Sequence, residues 1–558
     1  MIDSTPRTAA PATDQPTQTS VIDALVLPPH YKVITTLSVP GATLSPRGLI
    51  LIVGPNSSGK TQLLKDVHSV LTGQRRQLVV ATNIQLAKPA KFEEFLGPLI
   101  TDGYFKIEID ANGTEFVRQA MPFYGGGDFR GHNVNMNTAR DWWNRWPASV
   151  AASSFDQVQF LDLVGHCLTT GLFLEKRIVL ANQVGQLDYE ANPPNNDLQA
   201  LYMNEDAKSR LSEKTQNVFG KAVWIDNTRG NILCVRVNQS PFIPPDKERL
   251  EPQRMREYRQ IESEGDGMRS YVGICIALLL GRKPICLIDE PELCLHPPQA
   301  HAMGRFIGSF GTSTDHATLT STHSSHVLRG VIETTQDVQI LRLSRVNGEF
   351  RGHLIGRDVL LDCFKRPIVR AETVLDGIFA DGVAIVESDG DRAVYQTAWD
   401  ALRTKDRSSG AGYLHRDILF IPVNGTGGIS SIARFYRALH IPVTIIADLD
   451  FIIDRNKLQS TLSVLTDAET TRTIALACQN VADEIKKIPP TITESQVTQR
   501  LSIFAERPLQ WANDDDRQLK TDLNGLTNDI DRMRRLKNGG IEVISEPSSN
   551  SRRARISC

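Results

Sequence analysis

One eight-residue stretch constrains this chain more than any other. Gly54-Pro55-Asn56-Ser57-Ser58-Gly59-Lys60-Thr61 fits the pattern G-x-x-x-x-G-K-[ST]. Its glycines let backbone N–H groups wrap a phosphate, its Lys reaches the β and γ oxygens, and its Thr hydroxyl ligates Mg²⁺. Such a loop belongs between a buried strand and a helix. Residues 48–53 are an unbroken apolar run, and residues 62–71 read as a helix. The chain is therefore expected to be α/β, with ATP and Mg²⁺ at this loop.

A partner motif lies far along the chain. Ile285-Cys286-Leu287-Ile288-Asp289-Glu290-Pro291-Glu292 is an apolar strand that ends in acids. In this setting Asp289 would hold Mg²⁺ and Glu290 would polarise the attacking water. A strand at 317–320 then leads into Thr320-Ser321-Thr322-His323-Ser324, which offers His323 to the γ-phosphate. The order of these motifs resembles ABC-type ATPases, a resemblance that implies a Gln at the nucleotide; Gln85, following a strand at 78–82, is the candidate. Ser263-Glu264-Gly265-Asp266-Gly267-Met268-Arg269-Ser270 precedes the acidic strand. By the same resemblance, Gly265 and Gly267 make it the candidate for the signature segment that completes the site of a facing subunit. A plain Gly-rich helix start is the alternative.

A second acidic constellation follows. Residues 383–386 form an apolar strand that delivers Glu387, with Asp391 four residues on. About sixty residues later Val443-Thr444-Ile445-Ile446-Ala447-Asp448-Leu449-Asp450 repeats the arrangement. Between them lies Asn424-Gly425-Thr426-Gly427-Gly428. Strand ends of a parallel sheet are where sites form. Carboxylates gathered there repel one another unless a divalent cation sits between them, and oxygen-only ligands suit Mg²⁺ or Mn²⁺. Such a metal activates water for phosphodiester cleavage.

Size and charge narrow the rest. At 558 residues the chain is too long for one core. Its formal net charge is −2, so a nucleic-acid contact must come from a local patch and not from a whole-protein basic field. The apolar run 271–280 is too short to cross a bilayer, and no membrane partner is expected. The eight cysteines include no C-x-x-C pair, which reads as buried thiols in a reducing cytoplasm.

These motifs in this order resemble the OLD (overcoming lysogenization defect) family. In that family an ABC-type P-loop ATPase is followed by a TOPRIM domain, a Rossmann-like parallel sheet. The Leu295-His296-Pro297-Pro298 stretch after the acidic strand matches as well. A start rich in Thr, Pro, Ala, Gln and Ser reads as a disordered leader, set at 1–25, and 546–558 as a flexible tail; the resemblance implies an ATPase domain at 26–370 and a TOPRIM domain with a helical insertion at 371–545. It implies metal ligation by Glu387, Asp391, Asp448 and Asp450. It also implies a late Lys, for which Lys537, just before a last strand at 541–544, is the positional candidate. A solvated Lys beside the basic run 532–535 is the alternative. Ser388 stands where the family usually has Gly.

By resemblance the chain is an ATP-regulated endonuclease of antiphage defence, acting on DNA or, as the second choice, RNA. Dimers or tetramers through the ATPase domains are implied, with a helicase or another defence protein as a partner. An ATP-driven sensor that controls a partner, with a weakened TOPRIM site, is the competing reading. The P-loop assignment is tested first by Lys60→Ala. ATP hydrolysis is expected to vanish because the γ-phosphate loses its cation. Wild-type turnover in that variant would contradict the assignment.

Overall fold

The computed structural model describes residues 33–486 except 75–76, 102, 121–130, 152–157, 189–191, 193, 240–257, 282, 311–315, 336, 357–371, 410–416, 424–427, 449–450 and 452–453; beyond 486 it describes 495, 498–499, 502 and 554–557. Two compact units emerge. One comprises residues 1–52, 59–341 and 345–354, and the other 53–58, 342–344 and 355–558.

The ATPase core is a six-stranded sheet in the order Glu349–Ile355, Val338–Val346, Gly48–Val53, Ala317–Ser321, Ile285–Asp289, Thr169–Leu172. The last four run parallel, each beside its neighbour, with Ile285 opposite Ala317 and Thr169, and Ala317 opposite Gly48. Parallel strands covered on both faces need continuous apolar runs. All six residues of Gly48–Val53 are buried, as are the first four of Ile285–Asp289 and all of Ala317–Ser321. The P-loop strand and the acidic strand thus flank the strand that leads to His323. Their carboxyl ends form one edge, and the P-loop helix Lys60–Leu71 rises from it.

The strand expected at 78–82 is absent. Strand structure begins only at Asn83–Leu86, so Gln85 lies within a strand and not after one. The cause is Asp66, fully buried on the P-loop helix. Its Oδ2 accepts the N–H groups of Val79, Val80 and Ala81 at 3.0, 2.7 and 3.0 Å. Amides held by a carboxylate cannot also join a sheet ladder. The strand Asn83–Leu86 belongs to a separate antiparallel sheet with Ile34–Val39, Ala42–Leu44 and Ser149–Ala151.

In the second unit, the fully buried strand Gly382–Val386 lies between Ile418–Pro422 and Val443–Ala447, parallel to both. Helices Asp389–Ser409 and Ile429–Ala438 connect them, giving the βαβ rhythm of a Rossmann-like sheet. Ala384, Val386 and Phe420 form its local core, against which Tyr395 and Trp399 pack. The helical reading of the region after 460 holds for Ala468–Lys486. The expected strand at 541–544 and the leader at 1–25 lie outside the described residues. The tail reading needs correction at its end. Ala554–Ser557 pairs antiparallel with Val443–Ala447, which otherwise would present an unpaired sheet edge.

Removing the Asp66 clamp with Asp66→Ala leaves three backbone donors without their charged acceptor. A loss of ~3 kcal/mol is expected, less in Asp66→Asn, which keeps an acceptor oxygen. Urea unfolding followed by tryptophan emission checks this. An unmoved midpoint in the Ala variant would show that the clamp contributes nothing.

Candidate functional site

The P-loop glycines meet a steric demand. Gly54 has φ 141°, and an added Cβ there would lie 2.0 Å from the Leu343 carbonyl oxygen. Beyond the loop, Lys60 opens the helix almost fully buried. Burial pulls its ammonium below the usual lysine range, while Glu290, Glu292 and Asp289 act in the opposite sense. Thr61 Oγ1 donates to Asp289 Oδ1 at 2.8 Å, across 228 residues of sequence. The Ser321 hydroxyl donates to the same oxygen at 2.6 Å. The P-loop, the acidic strand and the strand between them therefore converge on one carboxylate. Two oxygen ligands so close, Thr61 Oγ1 and Asp289 Oδ1, fit a hard divalent cation.

Glu290 follows at φ 45°, in the left-handed region that non-glycine residues rarely adopt. Its N–H donates to the Ser321 carbonyl at 3.0 Å and lies 3.1 Å from the Ser321 hydroxyl oxygen. His323 Nδ1 lies 3.4 Å from Glu290 Oε1 and 3.1 Å from Glu292 Oε1. Expected to serve the γ-phosphate, His323 is thus in direct contact with the acid expected to polarise water. The contact holds Glu290 below the ordinary carboxylate range and raises His323. Glu292 is the nearer partner, yet Glu290 does more to hold the imidazolium proton. Burial pushes Glu292 upward, toward its neutral form, and weakens its pull.

Glu292 itself escaped the sequence reading. It is 6 % exposed, and its Oε1 accepts the Thr322 hydroxyl at 2.8 Å and the His323 N–H at 2.7 Å. This one side chain clamps the turn that carries His323. Arg177 was missed too. It is fully buried and donates from Nη1 to the Asp289 carbonyl and from Nη2 to the Glu290 carbonyl, the latter at 2.9 Å. The spelling Asp-Glu-Pro-Glu could have flagged Glu292. Nothing local to Arg177 marks it.

Other expected residues are placed differently. Gln85 is exposed in the antiparallel sheet, opposite Thr36 and Ser149. Gly265 caps the helix Asp266–Leu280, and Gly267 lies buried in its first turn against the backbone of Cys294, where a Cβ would sit 2.1 Å from the carbonyl oxygen. Within this chain, then, the segment is a helix start whose small residue serves packing.

In the second unit the structure brings Glu387 and Asp448 together. They follow the adjacent parallel strands Gly382–Val386 and Val443–Ala447, in which Val386 pairs with Ile446. The Asp448 N–H donates to Glu387 Oε2 at 3.3 Å. Asp448 follows directly on the strand, which spans Val443–Ala447 as expected. Asp391 sits in the first turn of the helix Asp389–Ser409, not in a loop. There the Ser388 hydroxyl donates to Asp391 Oδ2 at 2.9 Å and accepts the Asp391 N–H at 3.2 Å, so it satisfies one backbone donor of the first turn. Asp450, Lys537 and residues 424–427 lie outside the described residues. Among the described residues no group of three or more His, Cys, Asp or Glu is placed to hold a metal. No described helix is long and apolar enough to cross a membrane.

Residues 378–450 match the family model described as "Overcoming lysogenization defect protein-like, TOPRIM domain". No curated protein matches the chain. Among solved structures, the chain is similar to an SmcHead bound to the C-winged helix domain of ScpA, at 12% identity and a TM-score of 0.33, covering 59% of this chain and 99% of that one. A Thermotoga maritima SMC head domain gives 13% identity and a TM-score of 0.29 over 59% and 99%. A Pyrococcus furiosus Smc head domain, bound to the C-terminal domain of ScpA, gives 10% and 0.30 over 60% and 98%. The chain is an α/β protein in which a P-loop ATPase core precedes a TOPRIM domain of the OLD-like kind.

The His323 contacts carry a pH dependence. The folded state raises the imidazole pKa, so the stabilisation is fully present below the unfolded value of about 6.5 and is lost as pH rises through the folded one. The gap in unfolding midpoint between wild type and His323→Gln is therefore expected to be wider at pH 5.5 than at pH 9. Equal gaps at both would mean that the ring stays neutral.

Proposed function

We propose that this ATPase–TOPRIM chain is an ATP-regulated, divalent-metal-dependent endonuclease of antiphage defence, with DNA as the preferred substrate and RNA as the second. The observation that carries the nuclease reading is the meeting of Glu387 and Asp448 at the ends of neighbouring parallel strands. One half-buried and one exposed carboxylate at a sheet's carboxyl edge repel each other at neutral pH, and a hard cation relieves this. Glu387 and Asp448 would hold Mg²⁺ or Mn²⁺ through oxygen, with Asp450 and Lys537 as further candidates. When bound, the metal lowers the pKa of a water and stabilises the leaving 3′ oxygen.

At the other site Lys60 neutralises the phosphates, Thr61 and Asp289 supply oxygen for Mg²⁺, and Glu290 orients the attacking water with His323 at its side. We assign the ABC-type pairing of two ATPase domains to the segment 263–270, which would reach the nucleotide of a facing copy. A dimer or tetramer follows, as does ATP control of cleavage, with a helicase or other defence protein as partner.

A second reading, an ATP-driven sensor acting through a partner, draws on Ser388. Its hydroxyl occupies an oxygen of Asp391, a carboxylate that the OLD pattern gives to metal. Incubating the purified protein with plasmid DNA, and separately with total RNA, in Mg²⁺ or Mn²⁺ with and without ATP, separates the two. Cleavage is expected from wild type and is expected to fall at least ~100-fold in Glu387→Ala and Asp448→Ala, which lose the metal and its activated water. Cleavage that persists in both variants would remove the site assignment. No cleavage under any condition would favour the sensor.

A further inference from the structure

The Walker B turn holds an uncommon backbone and an uncommon charge together. Glu290 is left-handed at φ 45°, a conformation that costs an L-residue ~1 kcal/mol and persists only where its surroundings hold it. Its N–H side is held by Ser321. Its carbonyl side is held by Arg177, whose two terminal nitrogens donate to the oxygens of Asp289 and Glu290. Those two carbonyls bracket residue 290. Fixing both fixes the backbone torsions of Glu290 and with them the direction of its side chain.

The topology explains how a residue 113 positions away arrives there. The strand Thr169–Leu172 pairs in parallel with Ile285–Asp289, with Leu172 opposite Ile288. The helix Leu174–Val179 starts just past that strand's carboxyl end, and Arg177 lies on it, at the same sheet edge as the acids. A fully buried guanidinium is costly unless charge and hydrogen bonds compensate it. Burial does pull Arg177 below its usual range, and Asp289, Glu292 and Glu290 oppose that pull in this order. Its rigid planar fork puts a separate nitrogen on each carbonyl at a fixed spacing, whereas a lysine ammonium has all three of its donors on one freely rotating nitrogen and holds no such spacing.

We propose that Arg177 is a positioning residue for ATP hydrolysis: its guanidinium brackets the Glu290 peptide and sets the aim of the Glu290 carboxylate. The inference rests on the ATPase reading of the site. It assigns Arg177 no contact with nucleotide, so ATP binding does not depend on it. A displacement of about 1 Å at a catalytic group costs roughly 100-fold in rate.

The test uses the full chain. Wild type and Lys60→Ala first establish that the protein hydrolyses ATP through the P-loop; if wild type does not, the ATPase reading fails and not the bracket. Arg177→Lys is then expected to lower kcat 30- to 100-fold, with KM for ATP and binding of a fluorescent ATP analogue within about threefold of wild type. In a Glu290→Gln background, Arg177→Lys is expected to cause no further fall, because both changes disable one carboxylate. Wild-type kcat in Arg177→Lys would show that charge alone suffices and overturn the bracket. Lost nucleotide binding, or an equal further fall in the Glu290→Gln background, would show a general structural role and overturn it too. Should Arg177→Lys misfold, Arg177→Gln, neutral and able to donate to one carbonyl, is read by the same double-variant comparison.

Discussion

The ATPase half of this molecule depends on the carboxylate of Asp289. Three strands that are far apart in sequence reach it: the Thr61 hydroxyl from beyond the P-loop strand, the Ser321 hydroxyl from the strand between, and its own strand beneath. One oxygen accepts both hydroxyls at 2.8 and 2.6 Å. Hydrogen bonds to an ionised acceptor are about twice as strong as neutral ones, and they set distance as well as energy. Once Asp289 is fixed, the next residue must turn sharply. That turn gives Glu290 its left-handed backbone and places Glu292 under the His323 turn.

The charges around this point are matched in number. Three acids lie within four residues, and three cationic groups, Lys60, Arg177 and His323, face them from three other elements. Burial treats them unequally. Glu292 is driven toward its neutral form while Glu290 is kept ionised. Two carboxylates with opposite tendencies flank a single imidazole, a division of labour that acid–base sites use repeatedly. The second unit shows the same layout, with Glu387 and Asp448 just past the ends of neighbouring strands and the Asp448 N–H donating to Glu387.

Much of this was legible in the sequence, for a physical reason. Strands buried on both faces must be written as apolar runs, so 48–53, 285–288, 317–320 and 383–386 announced themselves, and the partly buried 418–422 and 443–447 are apolar enough to join them. What failed depends on partners distant in sequence. The segment 78–82 has strand composition, but Asp66 captures its amides. Arg177 reads as one more Arg on a short polar helix until the sheet places it under Glu290. The pairing of Ala554–Ser557 hinges on an open sheet edge more than a hundred residues earlier. Asp391 looked like a loop acid from its spacing after the strand, whereas it stands in the first turn of a helix with its N–H on the Ser388 hydroxyl.

The separation between Thr61 and Asp289 has a consequence during synthesis. A ribosome adding 5–20 residues per second takes about 10–50 s to pass from one to the other. Throughout that interval the P-loop strand has neither Ile285–Asp289 nor Ala317–Ser321 beside it, although both of its faces are apolar. The Asp66 clamp spans only 13 to 15 residues and can close within moments of its amides leaving the tunnel. The amino-terminal half therefore emerges as a helix and loop already tied together, guarding an unpaired strand until the carboxyl half of the sheet arrives.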